Sequence, residues 1–96
     1  MIFQVYAFRD RLTKAFTRPI LEISTPENYV ESITRAFMIE PEEQHVKSKD
    51  LTLYRLGTYD DTKAAFALLD EPECLLVVDD IEWKGAAYGN MQKPTA

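Results

Sequence analysis

The chain has 96 residues, 46% of them hydrophobic, and a net charge of −5 from 11 Lys and Arg against 16 Asp and Glu. That length holds one domain with a modest core, and the acidity excludes a generic basic nucleic-acid coat, because whole-chain charge repels phosphate. The single Cys excludes an internal disulfide and a tetrahedral cysteine zinc site, and it fits a reducing compartment.

The opening run Ile2 to Phe8 is rich in β-branched and aromatic residues and predicts a strand. Alternation sends Phe3, Val5 and Ala7 to one face and Ile2, Gln4, Tyr6 and Phe8 to the other. Neither set is polar, so this strand is expected either at the centre of a sheet or at a subunit interface. A shorter strand follows at Ile20 to Ile23, behind Pro19, with Leu12 to Arg18 as a hairpin connection. Ser24-Thr25-Pro26-Glu27 is a helix start: a capping hydroxyl, a proline for the first turn, and an acid for the positive end of the helix dipole. Tyr29, Val30, Ile33 and Phe37 then recur at helical spacing up to about Met38. Pro41 stops the helix, and Glu40 to Lys49 reads as a polar loop.

Leu51 to Tyr59 is the clearest strand in the chain, turned at Asp60 to Lys63 and answered by a return strand from Ala64 to Leu69. Gly57 inside it predicts a bulge or a close backbone approach. Asp70-Glu71-Pro72-Glu73 breaks the return strand. Cys74 to Val78 is then either a last short strand or an apolar segment docked on the core. Trp83 and Tyr88 are isolated aromatics in a weakly patterned end. The reading is an α+β fold: a small antiparallel β-sheet of about four strands with one α-helix packed on one face. Residues 1–78 form the single compact domain, and 79–96 a partly mobile C-terminal tail.

The longest apolar run, Cys74 to Val78, is far short of the roughly 20 residues of a membrane-spanning helix. Met1 opens onto a strand without a signal-peptide pattern. Both point to a protein of the cell interior with no membrane partner.

Catalysis has no candidate constellation. Glu42, Glu43 and His45 lie close together but read as a solvated acidic loop. Cys74 among apolar residues reads as a buried inert thiol. The pairs Asp60-Asp61 and Asp79-Asp80 sit at turns, where Asp is common for local hydrogen bonding. No metal site and no cofactor are expected.

Charge is uneven along the chain. Residues 1–20 carry Arg9, Arg11, Lys14 and Arg18 against Asp10 alone, a local +3 that leaves −8 for the rest. Tyr6, Phe8 and Phe16 are interleaved with these cations, and single-strand binders combine a basic groove with aromatic stacking faces. Tyr54 and Arg55, with Lys47 and Lys49 before them, extend the patch if their strand lies beside the first. The candidate nucleic-acid-binding residues are therefore Tyr6, Arg9, Arg11, Lys14, Phe16, Arg18, Tyr54 and Arg55. The same residues also read as strand aromatics in a core with arginines decorating a hairpin. The two-faced first strand further predicts a homodimer that hides the excess apolar surface.

Val5-Tyr6-Ala7-Phe8-Arg9-Asp10, Ile33-Thr34-Arg35-Ala36-Phe37 and, most specifically, the string from Lys49 to Asp61 with its Leu53-Tyr54-Arg55-Leu56-Gly57-Thr58-Tyr59-Asp60-Asp61 core are similar to one family. They resemble the small nonstructural protein of gokushoviruses, single-stranded DNA phages of the microvirus family, in which it is the fifth open reading frame product. The likeness runs from about Ile2 to Leu69. It implies a nonstructural protein of the bacterial host cytoplasm that serves production of single-stranded DNA and is labelled single-stranded DNA-binding. With no catalytic constellation and the basic, aromatic first twenty residues, the expectation is a non-enzymatic accessory that contacts the strand directly. The alternative is an acidic regulator bound to a host or viral replication protein without touching DNA. The family's glycine after the Asp-Asp turn is absent here, where Thr62-Lys63 leads on to Ala64, and the tail from Asp70 has no counterpart.

Overall fold

The computed structural model describes residues 1–83. Its elements are strand β1 (Ile2–Asp10), strand β2 (Ile20–Glu22), helices α1 (Pro26–Phe37) and α2 (Pro41–Ser48), strands β3 (Leu51–Asp60) and β4 (Ala65–Val77), and a short 3-10 turn at Val78–Asp80. All strand pairs are antiparallel, in the order β2-β1-β3-β4. Among the described residues no helix is long and apolar enough to cross a membrane.

β1 lies inside the sheet, the first of the two places its apolar faces allow. Val5, Tyr6 and Ala7 are all buried. β1 pairs with β3 from Ile2↔Asp60 to Asp10↔Leu51, with one shift that leaves Leu56 opposite no residue of β1. The extra residue is in β3, so β1 keeps its alternation, with Phe3, Val5, Ala7 and Arg9 on one face and Gln4, Tyr6 and Phe8 on the other.

The helices cover the Tyr6 face. α1 begins where the sequence predicts it: Thr25 Oγ1 accepts from the Asn28 amide at 3.3 Å, and Pro26 opens the first turn. Its stripe packs Tyr29, Val30 and Ile33 around Tyr6, Phe8 and Leu53, with Leu75 and Leu76 from β4. The Tyr6 and Tyr29 rings are stacked, centroids 4.3 Å apart, and Tyr6 Oη donates to the Ser24 carbonyl at 2.9 Å. Burial raises both tyrosine hydroxyls above their ordinary pKa, with Arg55 partly opposing this at Tyr6. Full burial of Leu53 alone stabilises the fold by roughly 1.5–3 kcal/mol relative to leaving it exposed.

Four local expectations change. Glu40 to Lys49 is not a loop, because Pro41 ends α1 and also opens α2. Glu42 and Glu43 lie in the first turn and Lys47 in the last, matching the helix dipole, and Glu43 and Lys47 pair at 2.8 Å one turn apart. Among the described residues there are therefore two α-helices, not one. The expected break at Asp70 to Glu73 does not end the strand: the return strand and Cys74 to Val77, from the stretch read as either a last short strand or a docked apolar segment, form a single β4 of 13 residues. Arg55 and Gly57 face Glu73 and Leu68, so residues 69–72 have no partner in β3. Pro72 is tolerated there because β4 is an edge strand and needs no ladder donor at that point. On that edge Cys74 is exposed rather than buried.

Trp83, expected in the tail, is buried. Its Nε1 donates to the Val78 carbonyl at 3.0 Å, and its ring stacks on His45 and Phe37 with centroids 4.7 and 6.0 Å away. The rest of the predicted tail, Tyr88 included, lies outside the described residues.

Gly57 meets its prediction of a close approach. Its φ is +154°, and a Cβ there would fall 2.2 Å from the Ala67 carbonyl oxygen and 2.8 Å from the Leu68 Cα. The turn between β3 and β4 is tied by Asp60, whose Oδ1 accepts from Thr62 N at 3.0 Å and Thr62 Oγ1 at 2.6 Å. Ala64 closes this turn at φ +52°, the left-handed region where a glycine would be relaxed.

Candidate nucleic-acid interface

The site lies on the sheet face opposite the helices. Phe8 leads through Arg9 and Asp10 into a tight hairpin. Asp10 Oδ1 accepts from Leu12 N at 2.8 Å, Lys14 N donates to the Asp10 carbonyl at 2.6 Å, and Lys14 has φ +63°. The returning chain is clipped back onto β1: Thr17 N donates to the Phe8 carbonyl at 2.7 Å, and Phe8 N donates to Thr17 Oγ1 at 3.0 Å. These bonds place Phe16 opposite Arg9 in an isolated antiparallel bridge.

The result is a three-residue cluster. The Arg9 guanidinium carbon is 5.9 Å from the Phe16 ring centroid, within cation–π range. Phe16 meets Tyr54 edge to face at 5.6 Å and 61°. Phe16 is 42% exposed, and Arg9 and Tyr54 are half-buried. Tyr54 arrives here because it pairs with Ala7, and Ala7 shares its face with Arg9. The cluster joins a cation to one open and one half-open ring, the combination that holds a phosphate and stacks a base.

The remaining predicted residues are dispersed. Lys14 tops the hairpin turn beside the cluster and is exposed. Arg11 is drawn to Asp50, 2.7 Å away, and its amide donates to the Asp50 carbonyl. Arg18 lines a groove of about 470 Å³ with Phe8, Thr17, Pro19 and Ile20, toward the helix side. Among the described residues, Arg9, Lys14 and Arg18 make no ion pair.

Two placements correct the sequence reading. Tyr6 was expected to offer an open stacking face, but it is fully buried against Tyr29, since its strand position puts it under α1. Arg55 lies on that same covered side, with Nε donating to Glu73 Oε1 at 2.8 Å and a terminal nitrogen to Gln4 Oε1 at 3.1 Å. Its charge is spent inside the protein.

The open face also carries residues that sequence reasoning did not single out. The register aligns Phe3, Tyr59 and Phe66 in one row and Leu21, Val5, Gly57 and Leu68 in the next. The Tyr59 and Phe66 rings lie 4.5 Å apart. Alternation in β1 signalled Phe3, but the neighbours it meets depend on its pairing with Tyr59, far along the chain. At this end Asp61 Oδ1 lies 2.8 Å from the Met1 amine, which raises the amine's pKa, and the Thr62 hydrogen bonds hold Asp60 below its ordinary value.

Residues 3–81 match the family described as Phage ORF5 protein. The chain belongs to the phage ORF5 protein family. The match takes in the Arg9–Phe16–Tyr54 cluster, α1, α2, β2, β3, β4 and all of β1 but Ile2. No curated protein sequence and no solved structure matches the chain. The family membership establishes a small phage protein.

Proposed function

We propose that this phage protein is a non-enzymatic accessory of single-stranded DNA production in the bacterial cytoplasm, and that it binds single-stranded DNA weakly through the helix-free face of its sheet. The observation that carries this reading is the Arg9–Phe16–Tyr54 cluster, with Lys14 beside it and no carboxylate pairing either cation among the described residues. Stacking contributes about 1–3 kcal/mol per base whatever the base is. Two or three phosphate contacts add an electrostatic part that weakens with salt, with a slope of log K on log salt of about −1.5 to −2 for a single strand. The binding is therefore weak and independent of sequence.

The test is fluorescence anisotropy of a labelled oligothymidylate across a salt series. Binding at low salt with that slope, lost in Arg9→Glu/Lys14→Glu, supports the reading. No binding at low salt, or binding untouched by the double charge reversal, overturns it.

The second reading, an acidic regulator bound to a host or viral replication protein, draws on exposed Asp70 and Glu71 in the unpaired segment of β4. It predicts protein that ignores oligonucleotides and loses its partner when those two acids are changed to Lys.

A further inference from the structure

An antiparallel sheet with helices on one side ordinarily turns polar residues to the other. Here the two rows nearest the β3–β4 turn contain no polar side-chain group except the Tyr59 hydroxyl. Phe66 is 57%, Leu68 64% and Leu21 39% exposed, while Val5 in the same row as Leu21 and Leu68 is already buried. Nucleic acid is a poor occupant of this end. Its charges, Asp60, Asp61, Lys63 and the Met1 amine, cancel, and two of the four are carboxylates.

We propose that a second copy of this chain covers the face, with the two sheets stacked and their strands running in opposite directions, and that single-stranded DNA competes with the second copy. The competition rests on the DNA reading above; the dimer does not.

The alternative route to a dimer, edge to edge, is obstructed on both sides of the sheet. β2 has only three residues. β4 carries Asp70, Glu71, Pro72 and Glu73 mid-strand, where antiparallel self-pairing sets acids against acids and the proline lacks a donor. Stacking the open faces meets neither obstacle.

Charge selects the direction. A two-fold axis along the strands would lay Arg9 and Lys14 over the same cations of the partner copy. An axis in the plane of the interface and across the strands, near exposed Leu21 and Leu68, avoids this. It sets the neutral turn of each copy, with Asp60 and Asp61, over the partner's basic end. Apolar rows then meet apolar rows, about 10 Å apart as in other stacked sheets.

Size sets the strength. With strands about 4.8 Å apart and residues rising about 3.3 Å, eight residues on each of β1, β3 and β4 and the three of β2 give a panel of roughly 430 Å² on each copy. Two such panels total roughly 850 Å², below the range of stable specific interfaces. The dimer is a weak, concentration-dependent one. Because the overlap reaches Arg9 and Phe16, one face serves either the second copy or the strand.

Sedimentation velocity on the full chain from 5 to 500 µM, without nucleic acid, tests the dimer alone. The mass is expected to rise from 11.1 kDa toward twice that value. Phe66→Glu should stay monomeric with unchanged far-UV circular dichroism and Trp83 emission. Leu68→Ser, a milder change at a more exposed position, gives a second variant should Phe66→Glu not fold. A monomer mass across the whole range overturns the proposal, as does a dimer indifferent to both changes. Adding oligothymidylate to the wild-type dimer should then lower the mass to that of a one-chain complex. An oligonucleotide that binds the intact dimer overturns the competition, whereas one that does not bind at all refutes the DNA reading and leaves the dimer standing.

Discussion

Replacing Tyr6 separates its role in the core from any role on the surface. Tyr6→Phe keeps the ring stacked on Tyr29 at 4.3 Å and removes only the hydroxyl, which donates to the Ser24 carbonyl at 2.9 Å. A hydrogen bond of this kind contributes about 0.5–1.5 kcal/mol net, and Ser24 is half-buried, so water can rehydrate the carbonyl and the cost stays near 1 kcal/mol. In a domain of this size that lowers Tm by roughly 4–8 °C. Tyr6→Ala removes the whole buried ring and leaves a cavity between β1 and α1. By analogy with other large aromatic truncations the cost is about 3–5 kcal/mol, a large share of the roughly 5–15 kcal/mol total of a small domain. Urea titration followed by far-UV circular dichroism reads both changes, and a constant m-value shows that the midpoint shift is a stability change. If Tyr6→Ala unfolds at the wild-type midpoint, the ring is not in the core and the account of the helix-covered face is wrong.

Gly57→Ala should cost at least about 2 kcal/mol, because the new Cβ meets the Ala67 carbonyl oxygen at 2.2 Å and φ is +154°; an unchanged urea midpoint would refute the close approach. Ala64→Gly should raise stability by about 0.5–1 kcal/mol, since relief of the left-handed backbone at φ +52° outweighs the added freedom of the unfolded chain. Stability should fall at alkaline pH. Burial raises Tyr6 and Tyr29 above 10.0, so the unfolded chain releases these protons first. Their contribution is complete below pH 10 and is lost as pH rises through the folded values, and Tyr6→Phe/Tyr29→Phe should flatten that loss in urea titrations at pH 8 and 11. Phe37→Ala should shift the emission of Trp83, the sole tryptophan, to the red by opening the stack that shields it; unmoved emission would place the ring elsewhere.

Much of this architecture is legible in the residues because the local signals agree with the global fold. β1 has no polar face, and it lies inside the sheet. Thr25 and Pro26 mark the start of α1, and Gly57 marks the close approach of β4. The misread segments carry signals with two meanings. Pro41 both stops one helix and starts another, so a short helix without a strong apolar stripe passes for a loop. Asp70 to Pro72 are strand breakers by composition, yet an edge strand absorbs them as an unpaired segment. Trp83 and Cys74 depend on tertiary placement that no local pattern encodes.

The candidate site shows the same division. The excess of cations over residues 9–18 is visible in the sequence, and so is the presence of aromatics among them. Which aromatic is open is not. Tyr6 and Tyr54 are both strand tyrosines, and only the pairing of Tyr54 with Ala7 separates the open face from the one under α1. Arg55, adjacent to Tyr54 in sequence, points to the covered side for the same reason and is neutralised by Glu73.

The central claim is that Phe16 and Tyr54 on the helix-free face stack bases. The most direct measurement is the affinity of the Phe16→Ala/Tyr54→Ala variant for a labelled oligothymidylate at low salt, beside wild type, with circular dichroism confirming the fold. At about 1–3 kcal/mol per stacked base, each lost ring should weaken binding by roughly 5- to 150-fold, with the slope on salt unchanged because the cations remain. A folded variant that binds as tightly as wild type would contradict the account.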